Sequence, residues 1–310
     1  MTKNTKYFLY LLCGVLMFAT FEVVSKSTGG YISASQLTFY RFLIGGVILL
    51  PFALRDLKVH HIRFSPKLIL TFLVTGFLLV FISMNLCQVG LSHTSASLVA
   101  VLFSSNPLFV SLFSSMILKE KLTRGKIIGL ICGVAGVIVT CGNFLFTPTK
   151  VDASFIFGIA LVLFSMLVFS FYTVFNKKIS AKMGSFPCLS FSSILGSLSL
   201  IPVLFLQNNG NTGNPFAFSL SSILPQFFYI SICITGIAYY LYFDGVAHLD
   251  TSISSMSFFV KPPLASILSA IFLHEKITMN LIAGIILILG GVTISVRFGA
   301  SQIDSKTDLA

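Results

Sequence analysis

The chain has 310 residues, of which 55% are hydrophobic and 9% charged, against roughly 25% charged in a soluble domain. This excludes an ordinary soluble enzyme or binding module and marks an integral membrane protein. The net charge of +11 would suggest nucleic acid in a soluble chain, but here the basic residues fall in particular loops and report orientation, so no nucleic-acid partner is expected.

Apolar runs of about 18 to 23 residues suit helices crossing a hydrocarbon core about 30 Å thick, whereas a barrel would show alternating strands of about 10. Ten helices are predicted: Tyr7 to Ser25, Ser35 to Leu54, Lys67 to Gly90, Ala96 to Leu118, Lys126 to Phe146, Ser154 to Asn176, Pro187 to Leu206, Ser222 to Phe243, Thr251 to Leu273 and Asn280 to Arg297. The first has no good small-residue cleavage site and reads as a retained helix, not a signal peptide. Breakers mark the joints, among them Gly29-Gly30, Pro51, Ser65-Pro66, Pro148 and the run Asn208 to Pro215. Six cysteines (Cys13, Cys87, Cys132, Cys141, Cys188, Cys233) are scattered without CxxC spacing. They suggest neither a disulfide framework nor a zinc site, and no cofactor is expected.

Gly90 to Val137 recurs at Gly245 to Val292 without a gap, pairing His93 with His248, Pro107 with Pro262, Glu120 with Glu275 and Gly129 with Gly284. A slightly shorter offset upstream pairs Phe18 with Phe169 and Lys26 with Lys177. A duplicated half follows, with a first repeat over 1–146, a linker at 147–153, a second repeat over 154–297 and a cytoplasmic tail at 298–310. Arg55, Lys58, Arg63 and Lys67 crowd the second loop, Lys119 to Lys126 the fourth, and Lys177, Lys178 and Lys182 the sixth. The positive-inside rule then places these loops and both termini in the cytoplasm of a plasma-membrane protein. Five helices per repeat is an odd number, so the halves cross in opposite senses, an inverted-topology repeat. In keeping, LKEKLTRGK on the inner side becomes LHEKITMNL on the outer side, with most of its positive charge gone.

With the segment FATFEVVSK, the arginine of TFYRFLIGG and the paired Pro-x(12)-Glu-Lys-x-Thr motifs, the chain resembles the EamA family of the drug/metabolite transporter superfamily over essentially its whole length. The resemblance implies a ten-helix exporter or exchanger of small metabolites, working by alternating access. It also implies that the first, third and fourth helices and their mates line a central cavity. Where that family usually has Trp in the first helix, this chain has Phe18, and it contains no Trp.

Lys261 falls mid-span in the ninth helix, where a cation costs about 2.5 to 3.5 kcal/mol on insertion scales. Pro262 and Pro263 follow it, and Ser254 and Ser257 share its helical face by spacing. This group reads as an anion or carboxylate site at a broken helix, or as a lysine held by a structural carboxylate. Asn106-Pro107 is the matching position of the fourth helix, where Asn106 meets a substrate or bonds back to the opened turn. Glu22 is the candidate proton-coupling carboxylate; alternatively it pairs with Lys26 one turn on, or with Lys261. Arg41 serves substrate or anchors helices by bonding several carbonyls. Asp244, amid Tyr239, Tyr240 and Tyr242, is an interfacial cluster at the inner mouth with a candidate gating role. Glu120 and Glu275 read as turn residues or caps for the next helix.

The expected function is therefore a secondary transporter of a small polar metabolite such as an amino acid or organic acid, with protons as candidate coupling ion. No P-loop appears, so ATP drive would need another subunit. The alternative is a polytopic membrane enzyme acting on a lipid-linked substrate. That class needs a catalytic His, Asp or Glu cluster or an HExxH motif, and the His60-His61 pair lies in a basic loop without acidic company. The sequence leaves the oligomeric state open.

Overall fold

The computed structural model describes residues 3–62, 64–119, 124–146, 153–207, 214–249 and 261–307. Its described residues form helices and no strand: α1 (Lys3–Ser27), α2 (Ala34–Val59), α3 (Pro66–His93), α4 (Ala96–Ile117), α5 (Arg124–Phe146), α6 (Ala153–Met183), α7 (Ser185–Gln207), α8 (Leu224–His248), α9 (Lys261–Phe272) and α10 (Met279–Thr307). Seven helices among the described residues, in α1 to α4 and α6 to α8, are long and apolar enough to cross a membrane. Two apolar stretches in α5 and α10, Ile127–Thr140 and Met279–Gly291, are shorter.

Local chemistry sets the element ends. Ser33 and Gln36 form a reciprocal capping box at the start of α2. Ser65 caps α3 with Pro66 in its first turn, where a missing N–H costs nothing. The fourth helix is discontinuous beside Asn106-Pro107, where an opened turn is expected: it runs Ala96–Phe103, is interrupted at Ser104 and Ser105, and resumes as Asn106–Ile117. The Ser104 and Ser105 hydroxyls donate to the carbonyls of Ala100 and Leu102 at 2.7 and 2.6 Å. Pro107 consequently lies in the first turn of a new segment, where its ring displaces no donor.

Helices approach closely wherever glycines face each other. A Cβ on Gly76 would stand 2.3 Å from the Ser192 carbonyl oxygen, and one on Gly196 would stand 2.3 Å from that of Gly76, so α3 and α7 touch backbone to backbone. Gly129 and Gly136 of α5 meet Gly291 and Gly284 of α10 in the same way, the close packing that small residues permit in lipid. Both α3 and α8 carry a stretch of widened, π-type turns, at Phe77–Met84 and Tyr229–Ala238. Two contacts define the ends of the bundle. Thr20 Oγ1 meets the Tyr229 hydroxyl at 2.9 Å toward the end of α1, and Tyr7 stacks on His248 at 4.0 Å near its start. Hence α1 and α8 run antiparallel, with a Lys26 face at one end and a Tyr7 face at the other.

Candidate functional site

Three charges from distant parts of the chain meet in the middle of this bundle. Glu22 Oε1 lies 2.5 Å from Lys261 Nζ, with the two side chains 1% and 6% exposed. Arg41 is 1% exposed and lines the same cavity. Its guanidinium carbon sits 4.5 Å from the ring centroids of both Phe21 and Phe42, the stacked placement that a planar, weakly hydrated cation accepts. Lys261 Nζ is 5.2 Å from the Phe103 ring centroid. The widened turns of α3 and α8 end beside this group: Met84 and Ile234 belong to them and Tyr239 follows directly. All three line the cavity, and the Tyr239 hydroxyl donates to Met84 Sδ at 2.8 Å.

The polar bookkeeping here is incomplete. Glu22 Oε2, Arg41 Nε and Arg41 Nη2 are buried and have no hydrogen-bond partner in the protein, although taking such groups from water costs several kcal/mol per ion. Two cations face one carboxylate, leaving one positive charge in excess. The cavity is about 30 Å³, room for one or two waters.

Other expected residues fall elsewhere. Asn106 is buried but faces α6, its Oδ1 accepting from Ser170 Oγ at 2.7 Å. Asp244 lies at the Tyr7 face, its Oδ1 3.6 Å from His248 Nδ1. Pro262 is buried and Pro263 exposed in the first turn of α9. Ser254 and Ser257 lie outside the described residues. Two expectations are corrected. Glu22 does not pair with Lys26: it turns inward to Lys261, while Lys26 donates to the Thr94 carbonyl and lies 3.3 Å from Glu275. Nor does Glu275 cap the helix that follows it. Thr278 Oγ1 takes the Leu281 N–H at the start of α10, and Glu275 reaches instead to α4, accepting from the Ala96 and Ser97 N–H groups at 2.7 and 3.0 Å and from Ser97 Oγ at 2.6 Å. Sequence reasoning missed the cavity walls Met84, Cys87, Phe103 and Ile234, which look like any other residues of an apolar run, and Tyr239, expected at the inner mouth with Asp244, lines the central cavity instead. The internal repeat held one signal, since the register that pairs His93 with His248 also pairs Met84 with Tyr239.

Helices of membrane length around a buried charged cavity mark a multi-pass membrane protein. The EamA-like transporter family matches residues 5–142 and 156–297, and the chain belongs to that family. An uncharacterized transporter of Clostridium kluyveri is 31% identical, covering 97% of this chain and 96% of its own. The uncharacterized transporter YvbV of Bacillus subtilis is 27% identical over 93% of this chain and 91% of its own. One solved structure, 19% identical, superposes with a TM-score of 0.69 over 96% of this chain and 99% of the other, a likeness of fold. The protein is thus a membrane transporter.

Proposed function

We propose that the protein is a secondary transporter, an exporter or exchanger, of a small polar metabolite that carries a carboxylate, such as an amino acid or an organic acid. Alternating access takes place around the Glu22, Lys261 and Arg41 cluster, between two inverted five-helix repeats of a ten-helix bundle, with both termini cytoplasmic and protons as the coupling ion. The observation that carries this reading is the unbalanced buried cluster. One excess positive charge and two unpartnered Arg41 donors complement a carboxylate, while the unpartnered Glu22 Oε2 complements an ammonium group. A solute that brings both splits the Glu22 to Lys261 pair and satisfies each half. The interruption of α4 before Pro107 supplies a place where the walls can part, as discontinuous helices do in other carriers. Ser254 and Ser257 join the site on their spacing from Lys261 alone.

The test is uptake of radiolabelled amino acids and organic acids into proteoliposomes with an imposed pH gradient, for wild type, Lys261→Ala and Glu22→Gln. Lys261→Ala is expected to abolish transport of a carboxylate solute, and Glu22→Gln to uncouple it from the gradient while exchange persists. Wild-type transport by both variants would sink the assignment.

A further inference from the structure

The contacts of Glu275 reach well beyond its own loop. Its carboxylate holds two backbone N–H groups at the start of α4, the Ser97 hydroxyl and the Lys26 ammonium of α1. Ser95 Oγ accepts the Leu98 N–H at 3.3 Å, so the first three donors of α4 are all taken. These are groups a helix start leaves without intrahelical partners, and a carboxylate there is further favoured by the helix dipole. Three segments far apart in sequence, α1, α4 and the α9–α10 connection, are thereby tied at the Lys26 face.

Beside that knot lies a second cavity of about 300 Å³, lined by Ser25, Lys26, Thr28 and Gln88. It is about ten times the volume of the central one. Ser25 Oγ donates to Gln88 Oε1 at 2.9 Å. Ser25 is one turn from Glu22 on α1 and Gln88 adjoins Cys87 on α3, so the two cavities are lined by neighbouring stretches of the same two helices. On the Tyr7 face, Lys177, the repeat mate of Lys26, donates to the Leu249 carbonyl at 3.1 Å, and Leu249 is the repeat mate of Thr94. The two lysines therefore grip matching carbonyls at opposite ends of the bundle.

We propose that Glu275 is the latch of the mouth at the Lys26 face: while it bridges Lys26 and the start of α4 that mouth is shut, and its release joins the central cavity to the 300 Å³ cavity. Lys177 and Leu249 form part of the matching closure at the other mouth, and transport breaks the two closures in turn. The inference rests on the transporter reading, but its test needs no substrate, so a wrong solute and a wrong latch give different results.

Cys87, buried in the central cavity wall, is the reporter. A membrane-impermeant thiosulfonate is applied from each side in turn to the full-length protein in sided vesicles, and modification of Cys87 is read by peptide mass spectrometry. Glu275→Gln and Lys26→Met are each expected to raise the rate about tenfold from the Lys26 side only, the change that loss of one charge-assisted hydrogen bond implies. Lys177→Met is expected to raise it from the opposite side only. Cys188, buried in α7, reports loosening of the bundle. Unchanged Cys87 rates in Glu275→Gln and Lys26→Met, or Cys188 becoming reactive in step with Cys87, would overturn the proposal. In the second case the contact holds the fold and not the mouth.

Discussion

Glu22 and Lys26 lie one turn apart on α1, and each pairs with a residue far along the chain, Glu22 with Lys261 at 2.5 Å and Lys26 with Glu275 at 3.3 Å. The chemistry is the same and the surroundings are opposite. Glu275 receives four donors near an end of the bundle, whereas Glu22 receives one in the interior and keeps an unpartnered oxygen. A carboxylate saturated by the protein has little to offer a solute. One left half-satisfied among aromatic walls binds whatever completes it, and this difference in satisfaction, more than depth or charge, separates the two roles.

The strongest way to break the comparison is to unbalance the inner pair. Lys261→Met or Glu22→Gln alone leaves a buried group without its partner and is expected to destabilise the protein by about 3 to 5 kcal/mol. The double variant should recover much of that loss, as read by thermal unfolding in detergent. If the double variant lost the sum of the two single losses, the pair would carry no coupling and the contrast with Glu275 would fail.

The second prediction concerns pH. Burial pushes the Glu275 carboxyl up, but the Ser97 hydroxyl, the Ser97 and Ala96 N–H groups and the Lys26 charge outweigh it, so the net direction is down. A carboxylate held below its unfolded value adds stability that is fully present above that value and is lost as pH falls through the folded one. Amide exchange at Ala96 and Ser97 should therefore be slower in wild type than in Glu275→Gln at neutral pH, by an amount corresponding to about 1.5 to 3 kcal/mol. The gap should narrow as pH falls below the ordinary glutamate range and close once the lowered Glu275 value is passed. A gap that stayed constant through that range would show that the carboxylate's charge is irrelevant to the cap.

Arg41→Lys sharpens the inner site. The ammonium keeps the charge but not the planar fork or the stack between Phe21 and Phe42, so the apparent affinity for a carboxylate solute should fall about tenfold, near 1.4 kcal/mol. The turnover of the loaded carrier should change less. Smallest of all, Ser170→Ala removes the hydrogen bond to Asn106 and should cost about 1 kcal/mol of stability. Its effect on solute affinity should be negligible, because Asn106 faces α6 and not the cavity; a selective loss of affinity would return Asn106 to the binding site.

Much of this is legible in the sequence. Charges are so rare in the apolar runs that Glu22, Arg41 and Lys261 stand out individually, and the all-helical membrane architecture follows from composition and run length. What sequence cannot order is which charges meet. Spacing favoured Glu22 with Lys26 because both lie on one helix, but helix packing turns Glu22 to the interior, where a lysine from α9 offers a drier and closer partner. Glu275 departs from its expected place for a related reason. Capping rules are local and pointed to the next helix, yet Thr278 already supplies that cap, leaving the glutamate to satisfy donors nearly 180 positions away. The cavity walls carry no signal of their own, because Met84, Phe103 and Ile234 would suit a lipid-facing surface equally well.

The widened turns of α3 and α8 have a consequence for insertions and deletions. Closing a π-type turn takes one residue more than an α turn, so such a stretch absorbs an additional residue while the helix on either side keeps its phase. Removing one residue within Phe77–Met84 should let the turn tighten and leave Gln88 and Leu91 facing as they do now. The same deletion a few positions later would rotate the rest of α3 by about 100°, carrying those side chains away from their neighbours. A deletion scan along α3 should therefore find its tolerated positions clustered in that stretch, with protein still made and inserted but the wall near Met84 reshaped.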